Sequence, residues 1–179
     1  FSDKKVNNTF ILRQDDLYHI KTVLRMKEND LITVVYENKP YLCELKNMVN
    51  DISIVIKEQL EIKKDKLPQI TLIIPLLKEQ KFDLILQKAT ELGVKEIIPV
   101  VLSRSVVKVD EKKEKSKIER WMRIVKEASE QCKRVSVPVI DSIRKIDDLF
   151  DLDGVKLVCS TVKKSKNIKK TVIHSKHFV

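Results

Sequence analysis

Residues 70–102 read ITLIIPLLKEQKFDLILQKATELGVKEIIPVVL, and this stretch decides the fold that the sequence predicts. It begins with an unbroken apolar run, residues 70–77, which is typical of a central strand buried on both faces. Apolar side chains then recur at the spacing of one helix face, at Phe82, Ile85, Leu86, Ala89 and Leu92. Gly93 stands where helices commonly end, and residues 94–102 are a second strand-like run. Strand, helix and strand in this order predict a βαβ unit of a parallel sheet.

The same alternation continues towards the C-terminus. A longer helical stripe comprises Ile118, Trp121, Met122, Val125, Ala128 and Cys132. Residues 135–140 are a strand candidate, residues 146–150 a short helix, and residues 155–160 a further strand candidate after Gly154. We therefore expect an α/β domain with a parallel sheet and right-handed crossovers.

The residues that precede the quoted stretch follow a different pattern. Leu17, Ile20 and Leu24 share one face of a predicted short helix. Three closely spaced β-like segments come next, at residues 31–36, 41–45 and 52–60. Short strands at this spacing, with one short helix, predict a small β-barrel.

A charged run and a proline separate the two patterns. Residues 61–66 are charged apart from Ile62, and Pro68 follows them. Such a segment cannot join a packed core on either side, so it is a natural linker. The sequence therefore predicts two domains, a barrel of residues 1–67 and an α/β domain of residues 68–179.

Composition excludes several classes of protein. Hydrophobic residues make up 42% of the 179 residues, as in a globular chain, and no apolar run approaches the ~20 residues that span a bilayer. Three scattered cysteines without a CxxC pair favour reduced thiols over a disulfide framework or a zinc site. Only two glycines are present, which argues against a dinucleotide-binding or P-loop motif. We expect a cytoplasmic protein without a metal or a membrane partner.

The positive charge is concentrated in the second predicted domain. Residues 1–67 hold 12 Lys and Arg against 11 Asp and Glu, whereas residues 68–179 hold 24 against 15. A polyanion partner explains this excess, because Lys and Arg gain affinity from phosphate contacts and counterion release. Solvated lysines on an ordinary surface explain it equally well, so charge alone leaves both interpretations open.

Three segments together carry a resemblance to a known family. They are His19-Ile-Lys-Thr-Val-Leu-Arg25, Gln87-Lys-Ala-Thr-Glu-Leu-Gly-Val94 and Glu127-Ala-Ser-Glu-Gln-Cys-Lys-Arg134. Pro99, Ser103-Arg-Ser105 with Lys108, Trp121 and Pro138 accompany them. In order and spacing the chain resembles the ribosomal RNA small subunit methyltransferase E family. These enzymes methylate uracil N3 in 16S rRNA and belong to the SPOUT superfamily of knotted methyltransferases.

The resemblance implies more than the patterns show. It implies a PUA-like N-terminal barrel, a SPOUT-type α/β domain with a C-terminal knot, S-adenosylmethionine as cofactor, 16S rRNA as substrate and a homodimer. Family members continue with a Gly-Pro-Glu-Gly-Gly motif and then a Leu-Gly-x-x-Ile-Leu-Arg-x-Glu-Thr-Ala stretch. Together these form the knot and most of the cofactor pocket, and neither is present in the printed chain. We expect either that the chain is shortened or that those residues follow it without ordered structure. A non-catalytic RNA-binding or ribosome-assembly module is the alternative to an enzyme.

The expected site residues combine position with the family pattern. Arg104 and Arg134 are the candidate catalytic cations, and Arg25, Lys88, Ser105 and Lys108 the candidate RNA contacts. Ser160 and Thr161 are candidate cofactor contacts at the end of the last predicted strand. Glu91, Glu127 and Gln131 are candidates for a polar surface in the cleft or at a dimer contact, with Glu127, Gln131 and Arg134 forming one helical stripe.

Each of these assignments has a structural alternative. Arg25 is equally well explained as a cation at a helix C-terminus, where the dipole favours it. Residues 103–108 follow the end of a parallel strand, where ligand sites gather, but a solvated loop has the same composition. The polar residues of the two helices also fit an ordinary solvated flank with weak intrahelical pairs. Ser160 and Thr161 also fit a strand end with turn-forming hydroxyls.

Overall fold

The computed structural model describes residues 1–48, 52–62, 68–103, 111–160 and 176–179. The chain forms two compact units, Phe1–Asp65 and Lys66–Val179. The predicted domain boundary falls among residues 63–67, outside the described residues. Each unit has a hydrophobic core of its own, so each is treated separately below.

The first unit is a curled antiparallel sheet. Its elements are β1 (Lys4–Val6), β2 (Thr9–Ile11), α1 (Gln14–Tyr18), β3 (Leu31–Tyr36), β4 (Lys39–Lys46) and β5 (Ser53–Gln59). The strand order is β1-β2-β5-β4-β3, and all neighbours are antiparallel. The predicted small barrel is confirmed as a half-barrel, in which β1 and β3 form the two ends of the sheet.

One residue near the N-terminus bridges the two ends of this sheet. The amide of Ser2 donates to the carbonyl oxygen of Val35 in β3 at 2.9 Å. Its hydroxyl donates to the carbonyl oxygen of Ile11 in β2 at 2.8 Å. Because Ser2 is buried and bonded to both strands, it draws the half-barrel towards closure.

The interior of the half-barrel is aromatic and aliphatic. Its buried side chains are Phe10, Ile20, Val34, Tyr41, Cys43, Leu45 and Ile54. The Phe10 ring meets the ring of Tyr41 edge-on, with the centroids 5.2 Å apart. Burial raises the pKa of the Cys43 thiol to about 11, so that this thiol stays protonated at neutral pH. Alternate residues of β4 supply much of this interior, as a half-buried strand requires.

The predicted helical face of Leu17, Ile20 and Leu24 is only partly correct. Ile20 is buried and Leu17 packs against the core, but Leu24 is 55% exposed. The chain widens after α1 into a π-helical turn, His19–Val23, in which the Leu24 amide bonds to the His19 carbonyl five residues back. A π-helical turn contains more residues than the 3.6 per turn of an α-helix. The α-helical spacing therefore predicts the wrong side of the helix for Leu24.

The second unit is an α/β domain built on a parallel sheet. Its elements are β6 (Gln69–Pro75), α2 (Glu79–Glu91), β7 (Glu96–Val101), α3 (Glu111–Gln131), β8 (Val139–Ile140), β9 (Arg144–Lys145), a short 3-10 turn (Ile146–Leu149) and β10 (His177–Phe178). The strand order is β10-β6-β7-β8, and β9 pairs with the end of β7. All of these pairs are parallel, which confirms the predicted sheet.

Both faces of the parallel sheet are covered. Helices α2 and α3 pack on one face, where Phe82 and Leu86 of α2 meet Trp121 and Val125 of α3 around Ile97. The Phe82 and Trp121 ring centroids lie 4.6 Å apart. A smaller cluster on the other side comprises Ile98, Val100 and Leu149, the last from the 3-10 turn. Burial on both sides explains the continuous apolar runs of β6 and β7.

Two of the predicted strands are shorter than expected. Within residues 135–140 only Val139–Ile140 pairs as a strand. Within residues 155–160 there is a single parallel bridge, from Val155 to Phe178 of β10. The amides of Val155 and Leu157 donate to the carbonyl oxygens of His177 and Val179. This apolar run therefore contacts the sheet without forming a regular strand.

Candidate functional site

The predicted site residues do not all lie in the described part of the chain. Arg104, Ser105, Lys108 and Thr161 lie outside the described residues, so their assignments stay predictions. Ser160 is described and exposed. The remaining candidates lie at the turn after α1 and along α2 and α3.

Arg25 follows the π-helical turn of the first unit. Its backbone is in the left-handed region, with φ of 53°, and its side chain is exposed. Within the described residues this side chain has neither a hydrogen bond nor an ion pair. An exposed, unpaired guanidinium on a constrained turn suits a phosphate contact, although it equally suits a cation at a helix end.

Helix α2 ends in a Schellman motif centred on Gly93. The amide of Gly93 bonds to the carbonyl of Thr90 at 3.1 Å, and the amide of Val94 bonds to that of Ala89 at 3.0 Å. The φ of Gly93 is +94°, which L side chains rarely adopt. The predicted helix end at this glycine is confirmed, and the chain turns there directly into β7.

Helix α3 ends in the same motif with a lysine in place of the glycine. Lys133 has φ of 58°, and its amide bonds to the Glu130 carbonyl at 3.2 Å. The amide of Arg134 bonds to the Ser129 carbonyl at 2.9 Å. The left-handed backbone of Lys133 turns the chain away from the helix. Arg134 therefore does not continue the predicted stripe of Glu127 and Gln131.

Arg134 joins the C-terminal ends of the two helices. Its Nη1 donates to the carbonyl oxygen of Thr90 at 2.7 Å and to that of Val94 at 2.9 Å. Both acceptors belong to the turn that ends α2, where carbonyl groups lack helical partners. Burial lowers the pKa of the guanidinium, which nevertheless remains charged at neutral pH. Within the described residues no carboxylate pairs with Arg134, so its charge is not neutralised there.

The two helix ends make a matched pair for a stability test. We expect Gly93→Ala to lower the free energy of unfolding by about 1–2 kcal/mol, because a side chain is strained at positive φ. We expect Lys133→Gly to raise it by about 0.5–1 kcal/mol, because glycine relieves the same strain. Denaturant unfolding followed by the fluorescence of Trp121, the one tryptophan of the chain, measures both. Equal and same-signed effects would contradict this account of the turns.

Lys88 and Glu91 form an exposed pair near the end of α2. Lys88 Nζ lies 2.8 Å from Glu91 Oε2, and Gln87 Nε2 donates to Glu91 Oε1 at 3.0 Å. The Lys88 ammonium holds the pKa of the Glu91 carboxyl below its usual value. Glu127 and Gln131 are exposed on α3. These four side chains fit a solvated flank, and their assignment to an RNA, cleft or dimer surface stays a prediction.

Sequence patterns missed an ion pair between the two helices. Arg120 of α3 bonds to Oδ2 of Asp83 of α2. The other carboxylate oxygen of Asp83 is buried and has no partner among the described residues. Both residues flank apolar stripes, but nothing in the sequence indicates that they pair over 37 positions.

A second polar group links three strands of the parallel sheet. The Thr71 hydroxyl of β6 donates to Glu96 Oε2 of β7 at 3.0 Å and lies 3.2 Å from His177 Nε2 of β10. The hydroxyl has one proton, so it can accept a hydrogen bond from His177 while it donates to Glu96. Thr71 is buried, and its hydrogen bonds hold β10 against the sheet. The sequence places His177 106 residues away and gives no indication of the contact.

Two leucines lie at the carboxyl ends of adjacent strands. Leu77 follows β6 by two residues and Leu102 directly follows β7, and the Leu76 amide bonds to the carbonyl oxygen of Val100. Leu77 and Leu102 are both 37% exposed. Ligand sites of open α/β sheets form at this edge, so the pair offers an apolar wall there.

The described ranges lack the features of a metal centre and of a membrane span. Those residues contain no group of three or more His, Cys, Asp or Glu placed to hold a metal ion. They also contain no helix that is both long and apolar enough to cross a membrane.

Comparison with protein families matches both units of the chain. The RNA methyltransferase domain family matches residues 63–177, and the RNA methyltransferase PUA domain family matches residues 12–59. Ribosomal RNA small subunit methyltransferase E of Bacillus subtilis is 36% identical over 144 residues, which are 79% of this chain and 56% of that protein. The Aquifex aeolicus protein of the same name is 35% identical over 156 residues, 85% of this chain and 64% of its own. The chain thus spans less than two thirds of the length of these relatives.

The fold agrees with a solved structure. The ribosomal RNA small subunit methyltransferase E of Neisseria gonorrhoeae, bound to S-adenosyl methionine, superposes with a TM-score of 0.78 at 23% identity. The alignment covers 98% of this chain and 75% of that one. At this identity the likeness concerns the fold, a PUA-like sheet followed by a SPOUT-type parallel α/β domain. Since the methyltransferase domain family alone covers more than half of the residues, the chain belongs to the RNA methyltransferase family and is a relative of the small subunit methyltransferases E.

Proposed function

We propose that this chain is part of an S-adenosylmethionine-dependent methyltransferase that modifies N3 of a uridine in 16S ribosomal RNA. The observation that supports this most is the pairing of an RNA methyltransferase domain with a PUA domain, in the same order as in its relatives. The excess of Lys and Arg in residues 68–179 is consistent with an RNA substrate. We further propose a homodimer that acts in the cytoplasm.

The chemistry at uridine N3 sets what the protein must supply. N3 carries a proton, which must pass to a base or to water so that the nitrogen can bond to the methyl carbon as the bond of that carbon to the sulfonium sulfur breaks. A nearby cation favours the deprotonated uridine, because opposite charges stabilise the ionised form. The base must also be splayed out of its stack and held in line with the methyl group.

Arg134 has a charge that this chemistry can use, and its position is fixed beside the turn that leads into β7, at the amino edge of the sheet. Its Nη1 is occupied by the carbonyl oxygens of Thr90 and Val94, which hold the guanidinium in place. Its Nη2 and Nε have no hydrogen bond to the described residues and remain available to an anion. We assign Arg134, together with Arg104, to stabilising the uridine anion, and Arg25, Lys88, Ser105 and Lys108 to contacts with the RNA.

S-adenosylmethionine would supply an electrophilic methyl group on its sulfonium. The described residues fit part of such a ligand, since the apolar edge of Leu77 and Leu102 suits a nucleoside. Ser160, which is exposed, and Thr161 carry hydroxyl groups, which are of a type that hydrogen-bonds ribose or carboxylate oxygens. Glu91, Glu127 and Gln131 are assigned to the cleft or the dimer contact.

Methylation of small ribosomal subunits tests this proposal. The full-length protein would be incubated with 30S subunits that lack the modification and with S-adenosylmethionine carrying a labelled methyl group. We expect label in 16S rRNA and a reverse-transcription stop at one uridine, because an N3 methyl group blocks Watson–Crick pairing. Label at another atom or base would contradict the uridine assignment. Titration calorimetry without any heat from S-adenosylmethionine, alongside tight RNA binding, would favour a non-catalytic RNA-binding or ribosome-assembly module.

A further inference from the structure

Helix α3 is much longer than the helix beside it. It has 21 residues, whereas α2 has 13. Arg134 ties the C-terminal ends of the two helices together, and Phe82 in the first turn of α2 packs against Trp121 in the middle of α3. The additional length must therefore extend at the other end, by about 12 Å at 1.5 Å per residue. The first turns of α3, residues 111–117, form an overhang beyond the start of α2.

This overhang lies at the carboxyl edge of the parallel sheet. Both helices run back between parallel strands, so their first turns lie near the strand ends. The carboxylate of Glu114 accepts a hydrogen bond from the amide of Ile143 at 3.0 Å, immediately before β9. β9 pairs with the last residues of β7, Val100 and Val101. The overhang is thereby fixed at the edge where ligand sites of such sheets form.

A row of cations runs along one side of the overhang. Lys113, Lys117 and Arg120 are spaced i, i+4 and i+7, so they share a face of α3. Arg120 turns to Asp83 of α2, which shows that this face looks towards the side where α2 begins. Lys113 and Lys117 have no ion pair within the described residues, and Lys113 is exposed.

Helix α2 adds no lysine to this row. Lys78 and Lys81 lie at its start, are exposed and also lack an ion pair among the described residues. Glu79 is the acidic residue of that first turn. Lys81 lies two residues before Asp83 and so on the side of α2 away from α3, whereas Glu79, four residues before Asp83, lies on the side that faces α3. The positive row therefore consists of Lys113 and Lys117 of α3, beside Glu114.

The placement of these charges does not serve helix stability. Cations are favoured in the last turn of a helix and disfavoured in the first, because of the macrodipole. In α3, Lys113 lies in the first turn, together with Glu111 and Glu114, and the last turn contains no basic residue. An unfavourable position for a charge points to a use outside the helix.

We propose that Lys113 and Lys117 of α3 form a docking surface for the phosphodiester backbone of RNA. This proposal rests on the proposed function in one respect, namely that the substrate is an RNA. The row leads along α3 towards the carboxyl edge, so it sets the path of the RNA strand over the methyltransferase domain. Phosphate contacts of this kind fix the position of a nucleic acid without reading its sequence.

The test compares two double variants of the full-length protein that lose equal charge. Lys113→Gln with Lys117→Gln removes the row, whereas Lys95→Gln with Lys176→Gln removes two exposed lysines before β7 and β10, at the amino edge. Binding of a 16S rRNA fragment is measured from 50 to 200 mM salt. We expect the row variant to bind about tenfold more weakly at 0.1 M salt, with a log–log salt slope smaller by about 1.5.

The controls separate this surface from charge in general and from the proposed function. We expect the amino-edge variant, and Lys115→Gln on the other side of the overhang, to retain the slope of the unaltered protein. Equal weakening in all three variants overturns the proposal, and so does an unchanged slope in the row variant. S-adenosylmethionine affinity by calorimetry should stay constant throughout. If the unaltered protein binds S-adenosylmethionine but no RNA, the proposed function fails first and the docking surface fails with it.

Discussion

Replacing Phe82 with alanine is expected to lower the free energy of unfolding of the second unit by about 3–5 kcal/mol. The Phe82 side chain of α2 is 1% exposed, and it packs against Trp121 of α3 and the parallel sheet. Truncation removes the apolar contacts of a whole ring and leaves a cavity that the neighbouring helices fill only in part. Because folded domains are stable by only ~5–15 kcal/mol, this one change removes a large share of the stability.

Denaturant unfolding followed by far-UV circular dichroism measures the effect. Trp121 fluorescence gives a second probe of the same unit, although its folded baseline will change because the Phe82 ring contacts it. Leu84→Ala is the matched control, since Leu84 lies on the same helix and is 55% exposed. We expect the control to stay within about 0.5 kcal/mol of the unaltered protein. A Phe82→Ala protein as stable as the control would show that α2 does not pack as described.

The elements that the sequence predicts well are those defined by local pattern. The apolar runs of β6 and β7 and the stripe of α2 are continuous in sequence, and Gly93 identifies the helix end by its conformational freedom. The π-helical turn at His19–Val23 breaks the assumed spacing, so the predicted position of Leu24 is wrong. Lys133 adopts the same left-handed backbone conformation as Gly93, but a lysine does not indicate this conformation as a glycine does.

Contacts between distant residues were beyond prediction for a different reason. The bridge made by Ser2, the ion pair of Arg120 with Asp83 and the group around Thr71 each join elements far apart in sequence. Which side chains pair depends on how the helices and strands pack against one another. Patterns in a single sequence do not specify that packing. Arg134 illustrates both cases. Its sequence segment indicates the residue itself, but nothing in that segment indicates its two carbonyl partners.

Replacing Arg134 with alanine is expected to reduce methylation by about 100-fold and to lower the free energy of unfolding by about 2–3 kcal/mol. The first effect follows if its guanidinium stabilises the uridine anion, since removing one such donor commonly costs 10²–10³-fold in rate. The second follows because the carbonyl oxygens of Thr90 and Val94 lose their charged donor at a half-buried helix end. A loss of activity alone therefore cannot distinguish chemistry from loss of structure.

A second substitution separates the two roles of Arg134. Lys133→Gly relieves the strained turn next to it, so the Arg134→Ala, Lys133→Gly protein should regain part of the lost stability. Methylation by the full-length protein and its S-adenosylmethionine affinity are then measured for both variants at a temperature where each is folded. We expect methylation to stay about 100-fold low in the double variant while the cofactor affinity is unchanged. Recovery of methylation together with stability would instead make Arg134 a positioning residue, which acts only by holding the ends of α2 and α3 together.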